Sequence, residues 1–528
     1  MTVTELRQKY PVFTYQSANW QVEGDRFQAS FVFFAGENRF QHQVIFPLTR
    51  QVSSGSQKKQ SRKEVIDRSG ERLIDQLVFS LGMVELLSYW KAFCSPIIEI
   101  QAGKLTDWQK HWWYDFLLNG MGEYFFVNQI DFTGDDFVKI VASDQNSHGS
   151  DVVNQPSDNS VPGHVGPTQP VPIDPNQTTS FLIPIGGGKD SIVTLEVLKQ
   201  LNPLSLLLVN PTPAALDIAD QANLPSITVS RQLDPYLLNL NQQGYLNGHV
   251  PFSASLAFIS VLVAYLYQID SVVLSNEASA NEASLTYLNR PINHQYSKSF
   301  EFERKFREYV RDLSGLDKQV ATFPDGTLKP PPLRGLRQVR CDSPYSSVQQ
   351  DEVDTLPQYF SLLRPLNELQ IGRLFAEIGQ SYFSIFLSCN RGSKTNTWCG
   401  DCPKCLFAYL MLAPWLDEPT MITIFGQNLL LNEKLLPTLH ALIGFSDQKP
   451  LECVGLREES LVACYLLTKS YQESHNQLPT LLAWIQSNLE KQPDLPARSH
   501  QLLVTLNQDH FLPPSLADSL QVFFQGRI

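Results

Sequence analysis

Positive charge is scarce in this chain: Lys and Arg number 41 against 53 Asp and Glu, a formal net charge of −12 over 528 residues. A field of that sign repels phosphate backbones and anionic lipid, so neither a nucleic-acid nor a membrane partner is expected. No apolar segment follows the opening Met1-Thr2-Val3-Thr4-Glu5-Leu6-Arg7-Gln8-Lys9. A secretory signal is therefore not expected, and the cytoplasm is the expected address. One segment calls for a membrane test, the charge-free run from Val250 to Ile269. Pro251 opens it, Ser253, Ser255, Ser260 and Gln268 interrupt it, and a strand-like Ser271-Val272-Val273-Leu274-Ser275 follows, so it reads as a buried helix of a layered α/β domain. Internal repeats are lacking. With 43% hydrophobic, 18% charged and 11% aromatic residues, the chain is not disordered throughout, collagenous or a coiled coil. Its length suggests roughly two to four domains.

Cysteine is sparse, eight in all, yet Cys389, Cys399, Cys402 and Cys405 crowd into 17 residues. In a reducing compartment this spacing points to metal rather than disulfides. Four thiolates suit a closed, structural Zn²⁺ site, and an iron–sulfur cluster uses the same ligand type. Cys94, Cys341, Cys453 and Cys464 lie scattered and read as buried small hydrophobes.

Residues 143–180 carry six prolines and no Leu, aromatic, Lys or Arg, too little apolar surface to order themselves. A disordered linker or insertion is expected there. It separates an N-terminal α+β domain, residues 1–142, from a nucleotide-binding catalytic domain, residues 181–415, with a helical region at 416–528 beyond. Before the linker, Arg26 to Phe33 and Gln41 to Phe46 alternate as strands, and Leu73 to Phe93 and Trp108 to Leu118 have helical period. After it the order is strand Phe181 to Ile185, glycine loop, helix Ser191 to Gln200, strands Leu204 to Val209 and Ser226 to Val229, the Val250 helix and strand Ser271 to Ser275. That is the grammar of a parallel sheet wrapped by helices, with chemistry expected at the carboxyl ends of the strands. Leu461 to Tyr471 and Leu478 to Leu489 read as amphipathic helices of the tail.

Gly186-Gly187-Gly188-Lys189-Asp190-Ser191 joins the first of these strands to its helix, where free N–H groups form an anion site. A Walker A loop is excluded by Ile183 where its first glycine belongs and by Asp190 after the lysine. The dinucleotide fingerprint is excluded by Ser191 in its last glycine position. What remains resembles the pyrophosphate loop (PP-loop) of the ATP-pyrophosphatase superfamily, usually Ser-Gly-Gly-x-Asp-Ser, with Gly186 in place of the first serine. The pairing with a C-terminal cysteine cluster also resembles 7-cyano-7-deazaguanine synthase.

Three further segments are polar where a core would be apolar: Asn247 to Phe252, Ser275 to Glu282, and Asn293 to Ser299. Together with the glycine loop and Trp398-Cys399-Gly400-Asp401-Cys402-Pro403-Lys404-Cys405, they resemble the MurL family, the UDP-N-acetylmuramoyl-L-alanyl-L-glutamate epimerases. The resemblance implies an α/β fold of adenine-nucleotide α-hydrolase type and an ATP-dependent inversion of glutamate in a nucleotide-sugar peptide through a carboxyl-adenylate. It implies ATP and Mg²⁺ at Gly186, Gly187, Gly188, Lys189, Asp190 and Ser191, with Lys189 and Asp190 catalytic, Lys189 stabilising developing negative charge and Asp190 with Mg²⁺ balancing charge, and structural Zn²⁺ at the four cysteines. His249, His294 and Lys298, with Cys341 behind them, are the candidates for exchanging the α-proton; Asn276, Glu277, Lys298 and Arg391 are the candidates for binding substrate. Asn276 and Glu277 would equally cap a following helix, His249 would equally be a structural histidine, and Lys298 a solvated lysine. Another adenylating enzyme of the superfamily, or a nucleotide-binding protein without catalysis, remains an alternative reading.

Overall fold

The computed structural model describes residues 1–49, 70–142, 179–199, 201, 203–314, 356–446 and 448–525. Residues 143–178, most of the expected linker, and Cys341 lie outside them.

The N-terminal part is a meander: β1 (Val12–Glu23), β2 (Arg26–Ala35) and β3 (Asn38–Pro47) pair antiparallel through two-residue turns. Alternate residues of β2, among them Phe27, Phe31 and Phe33, are buried, as a half-covered sheet requires. Two short strands that the sequence pattern did not reveal, β4 (Ile97–Ile100) and β5 (Lys139–Ala142), add in parallel beside β1.

The second part holds β6 (Phe181–Pro184), β7 (Leu204–Val209), β8 (Ser226–Gln232), β9 (Ser271–Leu274) and β12 (Gln358–Ser361), all parallel. A small separate hairpin, β10 (Leu285–Tyr287) with β11 (Arg290–Ile292), follows β9. The spatial order β12-β9-β6-β7-β8-β3-β2-β1-β4-β5 makes one ten-stranded, mostly parallel sheet. The chain runs from β6 outward through β7 and β8, then returns to the other side of β6 for β9 and β12. A switch of direction of this kind opens a crevice at the carboxyl end of β6.

The expected division at 143–180 does not divide the sheet. Gln43, Val44 and Ile45 of β3 pair with Gln232, Arg231 and Ser230 of β8, which satisfies an edge that would otherwise be open. The helix Phe252–Leu266 is buried along most of its length and packs on Glu71–Glu85, so one core serves both parts. Among the described residues, the run Glu71–Trp90 is long and apolar enough to cross a bilayer, and 83% of its window is buried inside the protein. The tail is helical as expected, with Arg457–Glu473 and Thr480–Glu490 at its centre, and it packs into the core of the second part.

A buried polar group ties the two parts together. Arg231 of β8 grips Glu85 through Nε at 2.9 Å and also through Nη2. His42 of β3 is fully buried, with Nδ1 3.0 Å from the Tyr89 hydroxyl and Nε2 3.5 Å from Glu85. Tyr89 also accepts from the Asp234 N–H, so the hydroxyl is held between the loop after β8 and the His42 ring. Burial, aided by the Arg231 charge, pushes His42 down to about 4 against the pull of Glu85. Between that value and the ordinary 6.5 the unfolded chain binds a proton that the folded chain refuses, so stability falls as pH falls through this window. The contribution is roughly 3 kcal/mol. Urea unfolding at several pH values across the window should show it, and His42→Phe should flatten the slope whatever its absolute stability.

Candidate functional site

The crevice is lined first by the glycine loop. Gly187 has φ +102°, and a Cβ there would lie 3.1 Å from the Leu387 carbonyl oxygen and 3.3 Å from Ala214 Cβ, so this position requires glycine. Gly188 begins the helix Lys189–Leu198 without a side-chain cap, which leaves first-turn N–H groups for an anion. The Ser191 hydroxyl donates to the Gly188 carbonyl at 2.9 Å. At Gly186 a Cβ would meet nothing within 4 Å.

Lys189 does not reach out of the loop. Its buried ammonium is bonded to Asp190 and to Glu368, the first residue of the helix Glu368–Ile378. Asp190, Glu277 and Glu368 offer carboxylate oxygens within 4.8 Å of one another. Oxygen donors so grouped could hold a divalent cation such as Mg²⁺. Burial and the neighbouring Asp190 and Glu277 push Glu368 up to about 8 against the Lys189 charge. Glu368 is held in turn from the tail, its N–H donating to Glu459 at 2.9 Å. Glu277 was expected as a substrate contact, whereas Glu368 and Glu459 lie in no segment that the sequence singled out.

A second group gathers across the crevice. His294 is bonded through Nδ1 to Glu123, from the helix Gly122–Val127. The His249 ring lies 4.4 Å from that of His294, with its Nδ1 4.0 Å from the same carboxylate. The segment carrying Cys453 is fixed beside these residues: Gln295 Nε2 donates to the Val454 carbonyl at 3.1 Å, and Lys404 donates to the Cys453 carbonyl. Cys453 was expected to be a buried hydrophobe; it is instead partly exposed and polar in its surroundings. Burial and the adjacent His294 push His249 down to about 4, whereas the Cys453 and Glu123 hydrogen bonds outweigh burial and lift His294 to about 9. Lys298 stands between the groups: its charge is raised above the usual lysine range, against burial, by Cys453, Glu277, Asp190 and Glu368 together.

The remaining candidates divide. Asn276 Nδ2 donates to Ser361 at 3.2 Å, and Glu277 precedes a 3-10 turn without capping it by its side chain. Arg391 is exposed and pairs with Asp401 at 3.2 Å, on the outside of the cysteine loop rather than with the carboxylates.

The four cysteines come together. Their sulfurs lie within 4.8 Å of one another, with Cys402 and Cys399 at 3.5 and 3.6 Å from Cys405. Separations near 3.8 Å are what thiolates about 2.3 Å from one zinc would show. The Gly392 N–H points at Cys389 Sγ from 3.2 Å, and a Cβ on Gly392 would collide with the Thr397 carbonyl. The helix Pro403–Leu412 starts at Cys402 and carries Lys404, which donates to the Cys453 carbonyl. The cysteine loop thereby braces the second group.

Two outcomes follow. Gly186→Ser should fold with an unchanged melting temperature, whereas Gly187→Ala should lose about 1–3 kcal/mol through backbone strain and close contact, as differential scanning calorimetry would read. Protein purified without added metal should contain one zinc per chain by elemental analysis, and Cys402→Ser should lower the melting temperature; a metal-free chain that is fully folded would overturn the site.

Residues 4–321 match the MurL N-terminal domain and residues 385–497 the MurL C-terminal domain. Three relatives share the name UDP-N-acetyl-alpha-D-muramoyl-L-alanyl-L-glutamate epimerase. That of Micromonospora is 34% identical over 64% of this chain and 66% of its own length. That of Salinispora tropica is 36% identical over 64% and 65%, and that of Xanthomonas oryzae 33% over 65% and 68%. The matched stretch thus spans slightly less than two thirds of the first two relatives. No solved structure matches. On these matches, the chain belongs to the MurL family.

Proposed function

We propose that this chain inverts the terminal L-glutamate of UDP-N-acetylmuramoyl-L-alanyl-L-glutamate to D-glutamate, at the expense of ATP, in cytoplasmic peptidoglycan precursor synthesis. The observation that carries the reading is the 33–36% identity to relatives named for this reaction. The PP-loop resemblance of Gly186 to Ser191, at the switch point of the sheet, supports the ATP step.

The chemistry needs activation. Removing an α-proton beside a free carboxylate builds a second negative charge on the same group, and adenylating that carboxylate removes the obstacle. The N–H groups of Gly186 to Ser191 hold the departing pyrophosphate. Asp190, Glu277 and Glu368 would hold Mg²⁺, which when bound offsets phosphate charge. Lys189 fixes the separation of Asp190 and Glu368 and keeps two like charges side by side tolerable. A base then takes the proton, the planar enolate is protonated on its other face, and hydrolysis releases AMP and the inverted product.

Incubation with ATP, Mg²⁺ and a panel of UDP-muramoyl peptides should give AMP and pyrophosphate with the L-alanyl-L-glutamate compound alone. In D₂O the product should carry deuterium at the glutamate α-carbon and none in alanine. Asp190→Asn should abolish both. ADP as the main product would remove the adenylating reading; a chirally unchanged, amidated or thiolated product would remove the epimerase.

A further inference from the structure

Glu123, His249 and His294 converge on one point. His294 Nδ1 is bonded to Glu123 Oε2, His249 Nδ1 lies 4.0 Å from the same oxygen, and the two imidazole rings are 4.4 Å apart. One ligand atom from each of the three side chains lies within 4.8 Å of the other two. The segments that carry them are pinned from outside the group. Just before His249, the Asn247 carbonyl accepts from Asn128 Nδ2 and the Gly248 carbonyl from Lys91 Nζ, both at 2.9 Å. A Cβ on Gly248 would lie 3.1 Å from Tyr124 Cδ2, so this segment runs directly against the helix that bears Glu123. Beside His294, Asn293 Nδ2 donates to the Ala280 carbonyl at 2.8 Å, and Asn293 Oδ1 accepts from the Gln295 N–H at 2.8 Å. His249 is the unsatisfied member: its side chain is only 26% exposed, yet among the described residues no hydrogen bond reaches its ring.

We propose that Glu123, His249 and His294 form an open site for one divalent transition-metal ion of the kind imidazole prefers, Zn²⁺ foremost, separate from the cysteine loop and from the carboxylates of Asp190, Glu277 and Glu368. The donor set decides the class of ion. Two imidazoles and one carboxylate suit zinc or iron(II), whereas Mg²⁺ and Ca²⁺ take oxygen ligands. Donors about 2.1 Å from a tetrahedral ion are roughly 3.4 Å apart, so His249 Nδ1 has to close by only about 0.6 Å, and the His294–Glu123 hydrogen bond opens to admit the ion. The ion takes the place of the proton those two residues share, and His249 gains the partner it lacks. Three protein ligands leave a fourth position free, and the side chains of His249, His294 and Glu123, 26, 11 and 14% exposed, leave that position open to solvent. One carboxylate offsets only half of the ion's charge, and the Lys91 ammonium sits at the Gly248 carbonyl next to His249. The free position therefore suits a carboxylate or phosphate oxygen. The inference does not rest on the reaction proposed above.

The test titrates the full chain, dialysed against EDTA, with Zn²⁺ by isothermal titration calorimetry, while elemental analysis counts what the cysteine loop retains. One Zn²⁺ beyond that of the cysteine loop should bind. His249→Ala and Glu123→Gln should each weaken it by more than about 100-fold, since even the outer-shell partners of a metal site are worth about 10–100-fold. Asp190→Asn should leave it unchanged. With Co²⁺ as the probe, the wild-type minus His249→Ala difference spectrum should show ligand-field bands without thiolate-to-cobalt charge transfer. His249→Ala removes no hydrogen bond among the described residues and should melt like wild type; should it melt earlier, His249→Gln, which keeps a polar side chain, takes its place. Absence of a further equivalent overturns the inference. So does an equivalent that survives His249→Ala, one that is lost in Asp190→Asn instead, or a difference spectrum that carries thiolate absorption.

Discussion

Arg364 holds the crevice together. Its fully buried guanidinium donates to the Glu277 carbonyl at 2.6 Å, to the Lys298 carbonyl at 2.7 Å and to Glu303 Oε2 at 2.7 Å. Glu303 accepts in addition from the Ser361 N–H at 3.0 Å and its hydroxyl at 2.7 Å, and Ser361 accepts from Asn276. One planar cation thus fixes the end of β9, the turn bearing Lys298 and the helix Phe300–Leu313 in a single arrangement. Removing one partner of a buried pair of this kind costs about 3–5 kcal/mol, because the other charge is left without a partner. Lysine, a point charge, cannot reproduce the fork.

Around this clamp the charges are sorted. Carboxylates at Asp190, Glu277 and Glu368 gather beside the glycine loop, within 4.8 Å of one another. Lys189 is spent on Asp190 and Glu368. On the far side, His294 is bonded to Glu123, with the His249 ring beside both. Lys298 and Lys404 both stand close enough to Asp190 and Glu368 to act on their charge. The carboxylate group and the histidine group thus share no residue, and the cysteine loop is tied to the Cys453 segment through Lys404.

The glycine loop and the four cysteines were legible because each is local: a strand, a tight turn and a helix start in one case, four soft ligands within 17 residues in the other. His249, His294 and Lys298 were legible as polar interruptions, although their relation to one another was not. Cys453 was misread for a physical reason. A thiol has no fixed character of its own, and whether it behaves as a small hydrophobe or as a base depends on the charges beside it. Here those charges come from residues about 160 positions earlier in the sequence.

The parallel α/β pattern of the second part, the loop at the end of β6 and the crowding of four cysteines could be read from the chain alone, since backbone conformation and residue spacing act over a few residues. Only the folded chain brings β3 against β8 in one sheet, sets Glu368 and Glu277 in Asp190's surroundings, and gathers Glu123, His249 and His294. Pairing and proximity of this kind arise when strand edges and buried charges from remote segments must be satisfied together, and no window of the chain contains both partners.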